Sequence, residues 1–342
     1  MNTKHAPIAV VLGSSGFIGS AVAEAFVADG YDVRLVGGRS DARWTDADSL
    51  RRTVEGADVV VNFAGKSVNC RYTGANRDAI LESRVLTTRS LREAIASAQN
   101  PPRVWLNAST ATIYRHTMDR ANTESDGEIG SGFSVDVATS WEREFFAGPL
   151  PHTRRAALRM AIVIGDGPAA RMLLTIARLG LGGPQHDGWS PPHRRYRGIG
   201  AHQTGQDRAP GYRTRGRQKF SWVHVDDVVG AIRFIRDDDS LSGPINIASP
   251  RATDNRTLMR TLRRVVGAPV GIPTTRWMLE LGMMALRTEP ELILKSRWVT
   301  PEILTDAGFT FVHTDLEAAL RDVHRGRRAH RASATKGTAD VS

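Results

Sequence analysis

Three glycines near the start of the chain have the spacing of a phosphate-binding turn. An apolar run over residues 8–12 leads into Gly13, Gly16 and Gly19, and the apolar pattern of a helix follows at once. This order predicts a buried strand, a tight turn and a helix whose first N–H groups face an anion. The expected ligand is the pyrophosphate of a dinucleotide, and the alternative is a glycine-rich turn without a ligand. The candidate cofactor-binding residues of this stretch are Gly13, Ser14, Ser15, Gly16, Phe17, Ile18 and Gly19.

An arginine stands at the distance where such proteins distinguish between two cofactors. Arg39 lies 20 residues beyond Gly19, and residues 32–39 are predicted to form a second strand and its exit. NAD-binding units usually carry an acidic residue at this distance, which accepts a hydrogen bond from the ribose 2′-hydroxyl. A guanidinium instead pairs with a 2′-phosphate through two charge-assisted hydrogen bonds. Arg39 therefore favours NADP over NAD, and the alternative is a solvated loop side chain.

Two further predicted strands end in residues suited to a ligand site. The strand over 58–65 ends in Phe63, Ala64 and Gly65, and the strand over 104–114 ends in a cluster of hydroxyl groups. The carboxyl ends of parallel strands form the ligand-binding edge of an open α/β sheet, where small residues leave room for a cofactor. We therefore expect Phe63, Ala64 and Gly65 to contact the cofactor and the hydroxyl groups to face its reacting end.

The order of predicted strands and helices indicates an α/β fold. Strands alternate with helices, which predicts a Rossmann-like, doubly wound parallel sheet, and mainly helical patterns follow it. We expect an NADP-binding domain over 7–250, a small helical C-terminal domain over 251–324 and a disordered basic tail over 325–342. Residues 186–218, rich in Gly, Pro and Arg, are expected to be an insertion.

Some elements are predicted to continue without a break. Residues 155–165 and 220–225 each predict one strand, and residues 169–181 predict one helix. Asp226 and Asp227 follow directly and are expected to do no more than cap the next helix, near its positive dipole end.

The composition favours a reducing compartment. The single cysteine, Cys70, excludes an intrachain disulfide. No apolar run approaches the roughly 18–20 residues of a membrane span, and residues 1–7 lack the apolar core of a secretory signal. We therefore expect a cytoplasmic protein, a monomer or homodimer, that acts on a small molecule and not at a membrane.

The formal charge of +10 lies mainly in two segments. Residues 190–219 carry eight Arg and Lys against one Asp, and residues 325–342 carry five against one, so the rest of the chain is close to neutral. Aromatic residues that would stack on bases are sparse there, so nucleic acid binding is not expected. The histidines of the basic segment, His186, His193 and His202, lack paired carboxylates, and no metal site is expected.

Taken together, these stretches resemble the extended short-chain dehydrogenase/reductases. The glycine spacing is the signature of that family, and residues 62–65 (Asn-Phe-Ala-Gly) are similar to its N-x-A-G segment. Residues 179–184, 220–227 and 299–320 are similar to an atypical branch, usually called the epimerase family, which ends in a small domain of unknown function. The resemblance implies a nicotinamide dinucleotide as the cofactor.

The resemblance also implies catalytic groups, and one pair of them is missing. In the family, a hydroxyl residue at the position of Thr110 assists catalysis, and a Tyr-x-x-x-Lys pair on the next helix handles the proton. Glu142 fits a glutamate of the family, and counting back from it places Ser134 and Ala138 at the tyrosine and lysine positions. The candidate catalytic residues are Thr110, Ser109, Ser134 and Tyr114. The alternative for the tyrosine is a packing and hydrogen-bonding role.

Three functions fit these observations. The first is an NADP-dependent oxidoreductase or epimerase-like enzyme that acts on an unidentified small molecule, such as a nucleotide sugar or a carbonyl compound. The second, which the missing tyrosine and lysine favour, is a non-catalytic NADP-binding sensor or regulatory protein. The third is a polyanion binder that uses the basic insertion.

Overall fold

A six-stranded parallel sheet is the centre of the fold. The computed structural model describes residues 6–37, 41–186, 198–200, 214–279 and 295–326. The strands in chain order are β1 (Ile8–Leu12), β2 (Asp32–Val36), β3 (Val59–Asn62), β4 (Val104–Thr110), β5 (Arg154–Met160), β6 (Ile162–Ile164), β7 (Gln185–His186), β8 (Lys219–Phe220), β9 (Trp222–His224), β10 (Gly243–Ile247), β11 (Thr253–Asp254) and β12 (Thr274–Thr275). The sheet has the order β10-β5-β4-β3-β1-β2, and each neighbouring pair in it is parallel. The strand order reverses between β1 and β3, which is where open sheets of this kind bind ligands.

Helices cover both faces of this sheet. The helices labelled in the described residues are α1 (Phe17–Ala28), α2 (Ala47–Val54), α3 (Gly74–Ala96), α4 (Phe133–Phe145), α5 (Pro168–Ile176), α6 (Val225–Asp237), α7 (Asn255–Val266), α8 (Glu302–Asp306) and α9 over 316–326. Of these, α5, α7 and α9 pack with β6, β8 and β9 in an apolar cluster outside the main sheet. Val11 packs with α1 and α6 on one face, whereas Val10 and Leu12 pack with α2 and α3 on the other. Successive strand residues point to opposite faces, so a strand buried on both faces is a continuous apolar run. The predicted Rossmann-like doubly wound sheet and the helical C-terminal part are confirmed.

Two of the predicted continuous strands are interrupted because the backbone changes its partner. The predicted strand over 155–165 divides at Ala161, whose N–H donates to the Ile247 carbonyl, and β6 then pairs with β9 outside the main sheet. The predicted strand over 220–225 divides at Ser221, whose N–H donates to the Arg297 carbonyl. Both predictions of an unbroken strand were wrong, because a local apolar pattern does not say which backbone a strand pairs with.

Two further elements end earlier than predicted. The helix predicted over 169–181 ends as α5 at Ile176, and Gly180 has a φ of +76° inside the irregular turn that follows. The strand predicted over 104–114 ends at Thr110, whose hydroxyl accepts a hydrogen bond from the Thr112 N–H and starts a 3₁₀ turn. This turn aims the hydroxyl cluster across the edge of the sheet.

The two aspartates at the start of α6 have different roles from those predicted. The N-cap is His224, whose Nδ1 accepts from the Asp226 N–H at 3.3 Å. The Asp227 carboxylate is buried and accepts from the N–H groups of Val312 (2.7 Å) and His313 (2.9 Å). The prediction of plain capping was therefore wrong for Asp227, which fastens a distant segment of the chain to α6.

The domain boundaries proposed from the sequence stay predictions. Leu304 and Phe311, which belong to the proposed domain over 251–324, pack in the same apolar cluster as the main sheet. Most of the proposed insertion over 186–218, and residues 327–342 of the proposed tail, lie outside the described residues. No helix among the residues that the structure covers has the length and apolar character to cross a membrane.

Candidate active site

The glycine turn joins β1 to α1. At two of its three glycines, neighbouring backbone atoms leave no room for a side chain. Gly13 has a φ of +73°, and a Cβ there would lie 2.7 Å from the backbone of Phe63. A Cβ on Gly19 would lie 2.4 Å from the Gly13 carbonyl oxygen, so α1 packs directly on the turn. Gly16 is exposed, and a Cβ there would meet the same oxygen at 3.3 Å, which small shifts accommodate. Its lack of a side chain leaves the N-terminus of α1 open to a ligand.

A cleft of about 380 Å³ begins at this turn and runs along the carboxyl edge of the sheet. Nine of the residues singled out in the sequence line it: Gly13, Gly16, Phe17, Ile18, Gly19, Phe63, Ser109, Thr110 and Ser134. The other described candidates, which do not line it, are Ser14, Ser15, Ala64, Gly65 and Tyr114. Arg39 lies outside the described residues. The structure thus brings the glycine turn and three of the four candidate catalytic side chains into one cleft.

The end of β4 is held by a buried ion pair. The Ser109 Oγ donates to Oε1 of Glu142 at 2.5 Å. Glu142 in turn accepts two hydrogen bonds from Arg159, from Nε at 2.8 Å and from Nη2 at 2.7 Å. Both charged side chains are buried. Because Glu142 is held by both Arg159 and Ser109, the network fixes the position of Ser109.

Tyr114 belongs to this network and not to the cleft. Its side chain is 2% exposed, and its hydroxyl accepts from Nη1 of Arg159 (2.8 Å) and donates to Oδ1 of Asn246 (3.0 Å). Burial raises the pKa of Tyr114, although Arg159 opposes the shift. The Tyr114 hydroxyl is thus engaged by Arg159 and Asn246, and a catalytic role for it stays a prediction.

Thr110 and Ser134 face the cleft from opposite elements. The Thr110 hydroxyl lies at the end of β4 and donates to Oγ1 of Thr112 at 3.1 Å. Ser134 is the second residue of α4, so it lies at the positive end of that helix. Ala138, one turn further on, is fully buried against Ala111 and other apolar residues. The assignment of Ser134 and Ala138 to the tyrosine and lysine positions of the family stays a prediction.

A cationic side chain reaches the cleft from a different helix. Arg84 of α3 lines the cleft, and its Nη1 donates to the carbonyl oxygens of Lys66 and Ile80, each at 3.0 Å. Its guanidinium lies 5.1 Å from the centre of the Trp141 ring, a cation–π distance. Burial lowers the pKa of Arg84 to about 10, so the group stays charged at neutral pH. Sequence analysis missed Arg84, because one arginine among the charged residues of a long helix carries no signal.

The exit of β2 contains an acidic residue that sequence analysis also missed. The Asp41 carboxylate accepts from the Gly37 N–H at 2.8 Å and from Arg43 at 2.9 and 2.7 Å. The hydrogen bonds from Arg43 and Gly37 hold the pKa of Asp41 well below its usual range. Because both oxygens are engaged, Asp41 is not free to accept from a ribose hydroxyl in this arrangement.

The sheet order, the glycine turn at the switch point and the cleft define a Rossmann fold of the extended short-chain dehydrogenase/reductase class. Residues 9–131 match the NAD dependent epimerase/dehydratase family, and residues 274–323 match the domain of unknown function DUF1731. The chain therefore contains an epimerase/dehydratase family domain and, near its C-terminal end, DUF1731.

Two relatives and one solved structure match nearly the whole chain. Epimerase family protein SDR39U1 of Mus musculus is 28% identical over 327 residues, which cover 92% of this chain and 98% of the relative. Epimerase family protein YfhF of Bacillus subtilis (strain 168) is 26% identical over 330 residues, which cover 92% and 97%. The crystal structure of human epimerase family protein SDR39U1 (isoform 2) with NADPH has a TM-score of 0.75 at 25% identity and covers 93% of this chain and 99% of that chain.

Proposed function

We propose that this protein binds NADP and transfers hydride to or from the carbonyl or carbinol carbon of a small molecule, as an oxidoreductase or epimerase-like enzyme. One observation carries the proposal. A single cleft joins the glycine turn, where a pyrophosphate would bind, to the residues Ser109, Thr110 and Ser134. Hydride transfer depends above all on holding two reacting carbon atoms side by side, and a cleft of this form does so.

The choice of NADP over NAD rests on Arg39 and on the human relative. Arg39 provides a guanidinium suited to a 2′-phosphate, and human SDR39U1 (isoform 2) was crystallised with NADPH. Titration of the purified protein with NADPH and with NADH tests the choice. We expect tighter binding of NADPH, and we expect Arg39→Ala to weaken NADPH binding with little effect on NADH. If neither cofactor binds below about millimolar concentration, the proposal is wrong. If NADH binds more tightly than NADPH, only the role proposed for Arg39 is wrong.

The cleft residues suggest how a carbonyl group would be held. The Thr110 hydroxyl donates a hydrogen bond to the carbonyl oxygen, which makes the carbon a better hydride acceptor. Negative charge that develops on this oxygen is stabilised by the N-terminus of α4 at Ser134 and by the cation of Arg84. The bound NADPH supplies the hydride. The proton that completes the alcohol comes from solvent, because serine and threonine hydroxyls hold their protons too tightly to replace a phenol.

Turnover of NADPH on a panel of carbonyl compounds and nucleotide sugars tests the catalytic part of the proposal. With an active substrate, Thr110→Val should lower kcat at least about tenfold, because it removes a hydrogen bond that strengthens in the transition state. Thr175→Val is the control, since Thr175 is an exposed residue of α5 that does not line the cleft. Equal rates for Thr110→Val and the wild type would contradict the role of Thr110.

A non-catalytic sensor or regulatory protein is the second candidate function. It is favoured by the sequence, because Ser134 and Ala138 stand at the positions predicted for the family's tyrosine and lysine, and Ala138 is fully buried. This candidate predicts NADPH binding together with no turnover that depends on Thr110. Any substrate oxidised or reduced in a Thr110-dependent manner excludes it.

A further inference from the structure

Three side chains that commonly bind metals converge at the start of α6. His224 ends β9, Asp226 lies in the first turn of α6, and His313 precedes α9. One potential donor atom from each lies within 4.8 Å of the other two. None of the three lines the cleft or takes part in the proposed chemistry. The convergence joins residues almost 90 positions apart, so no local spacing in the sequence indicates it.

We propose that His224, Asp226 and His313 form a binding site for a divalent transition-metal ion, with zinc as the ion that fits best. Oδ2 of Asp226 lies 3.2 Å from Nδ1 of His224 and 3.3 Å from Nε2 of His313. Zinc holds nitrogen and oxygen ligands at about 2.0–2.1 Å in a tetrahedron, which places the ligands about 3.3 Å from one another. Two edges of the required tetrahedron are therefore present before any ion binds.

The donor set selects the class of ion. Two imidazoles and one carboxylate suit zinc and its neighbours in the first transition series, whereas calcium and magnesium prefer oxygen ligands alone. The Asp226 side chain is 68% exposed, so water has access to the fourth position. Such an open coordination sphere is typical of zinc sites with three protein ligands.

The ligands are held in place by neighbouring contacts. The Asp227 carboxylate binds the backbone N–H of His313 and that of Val312, which fixes the segment bearing His313 against α6. The His224 ring is buried, and its centre lies 3.9 Å from that of the His313 ring. Little chain ordering is therefore needed when an ion binds, which favours affinity.

Binding of the metal would break one existing hydrogen bond. Nδ1 of His224 accepts the Asp226 N–H at 3.3 Å, which is long for a hydrogen bond. An ion on this nitrogen would take the same lone pair. The cost is small because the bond is weak, and the ion would instead join α6 to the segment before α9.

Zinc titration of the full chain, with any affinity tag removed, tests the site. The readouts are calorimetric stoichiometry and affinity, the melting temperature with and without ZnCl₂, and the visible absorption of the Co²⁺ form. We expect one ion per chain and a melting temperature that rises with zinc. His313→Phe keeps a ring against His224, and Asp226→Asn keeps a polar side chain. Each substitution should weaken zinc binding at least about tenfold, because even the loss of a residue that only supports a metal ligand costs that much.

Matched controls separate this site from adventitious binding. His152 is exposed and remote in sequence, and Asp48 is an exposed acid in the first turn of α2, so His152→Ala and Asp48→Asn should bind zinc as the wild type does. The proposal is overturned if zinc fails to bind below about 100 μM, or if His313→Phe and Asp226→Asn bind it with unchanged affinity. NADPH titration of the same variants should be unaffected, which keeps this outcome separate from that of the proposed function.

Discussion

Ser109 and Glu142 are 33 residues apart in the sequence, and a 2.5 Å hydrogen bond joins the hydroxyl of the first to the carboxylate of the second. The bond ties the end of β4, which carries Thr110, to α4, which carries Ser134. Arg159 completes the arrangement from β5. The two walls of the cleft therefore depend on a buried ion pair for their relative position.

Removal of the Ser109 hydroxyl and removal of the Glu142 carboxylate should lower the free energy of unfolding by different amounts. Ser109→Ala loses one hydrogen bond to a charged group and should lower the free energy of unfolding by about 1.5–3 kcal/mol. Glu142→Ala leaves the buried Arg159 charge without its partner and should cost about 3–5 kcal/mol. Urea unfolding of each variant measures both values. Glu93→Ala, at an exposed carboxylate of α3, is the control and should stay within about 0.5 kcal/mol of the wild type. Equal losses for Ser109→Ala and Glu142→Ala would contradict this account of the network.

The glycines of the turn should separate binding from stability. Gly16→Ala places a methyl group where the structure tolerates it but where a pyrophosphate must approach, so NADPH affinity should fall at least about tenfold while the melting temperature changes little. Gly19→Ala forces a methyl group against the Gly13 carbonyl and should destabilise the fold by about 1–3 kcal/mol. NADPH titration and thermal unfolding of both variants test this. A Gly16→Ala protein that binds NADPH normally would show that the cofactor does not lie over this turn.

The fold and the cofactor end of the cleft were largely predictable because their signals are local. The apolar run before Gly13 and the alternation of strands and helices indicate the sheet, and the glycine spacing indicates the turn. Arg84 and Arg159 were not predictable in the same way. Each acquires its role from partners on other elements, and a single sequence does not specify those pairings. The same holds for the break at Ala161, after which β6 pairs with β9, a strand 60 residues further along the chain.

Acid should loosen the contact between the loop that follows β4 and the segment that precedes α8. Nδ1 of His116 accepts from the Ser296 N–H at 3.0 Å, which requires an unprotonated nitrogen. Burial, and then the charges of Lys295, Arg115 and Arg297, lower the pKa of His116 to about 4. An ordinary histidine titrates near pH 6.5 in the unfolded chain. Between about pH 6.5 and pH 4 the unfolded state therefore binds more protons, and stability falls as the pH falls through this range.

A variant that cannot titrate isolates this effect. His116→Asn keeps an acceptor atom near the position of Nδ1, so it should lose less unfolding free energy than the wild type between pH 7 and about pH 4.5. Urea unfolding at a series of pH values gives the difference, and other titrating groups cancel because both proteins share them. Parallel curves for the two proteins would mean that His116 does not carry this pH dependence.

Arg84 should affect ligand binding more than it affects folding. Its guanidinium lines the cleft and also donates to the Lys66 and Ile80 carbonyl oxygens. Arg84→Met keeps the length of the side chain and removes the charge, so NADPH affinity or kcat should fall at least about tenfold. Arg84→Lys should recover part of this loss, because lysine restores the positive charge but lacks the planar guanidinium group that can donate several hydrogen bonds. Arg89→Met serves as the matched control and should bind NADPH normally. Arg89 lies on the same helix as Arg84, and its half-exposed side chain forms an ion pair with Glu144 of α4. If Arg84→Met lowers the melting temperature while NADPH binding and turnover stay unchanged, Arg84 is a structural residue and the charge of the cleft must come from elsewhere.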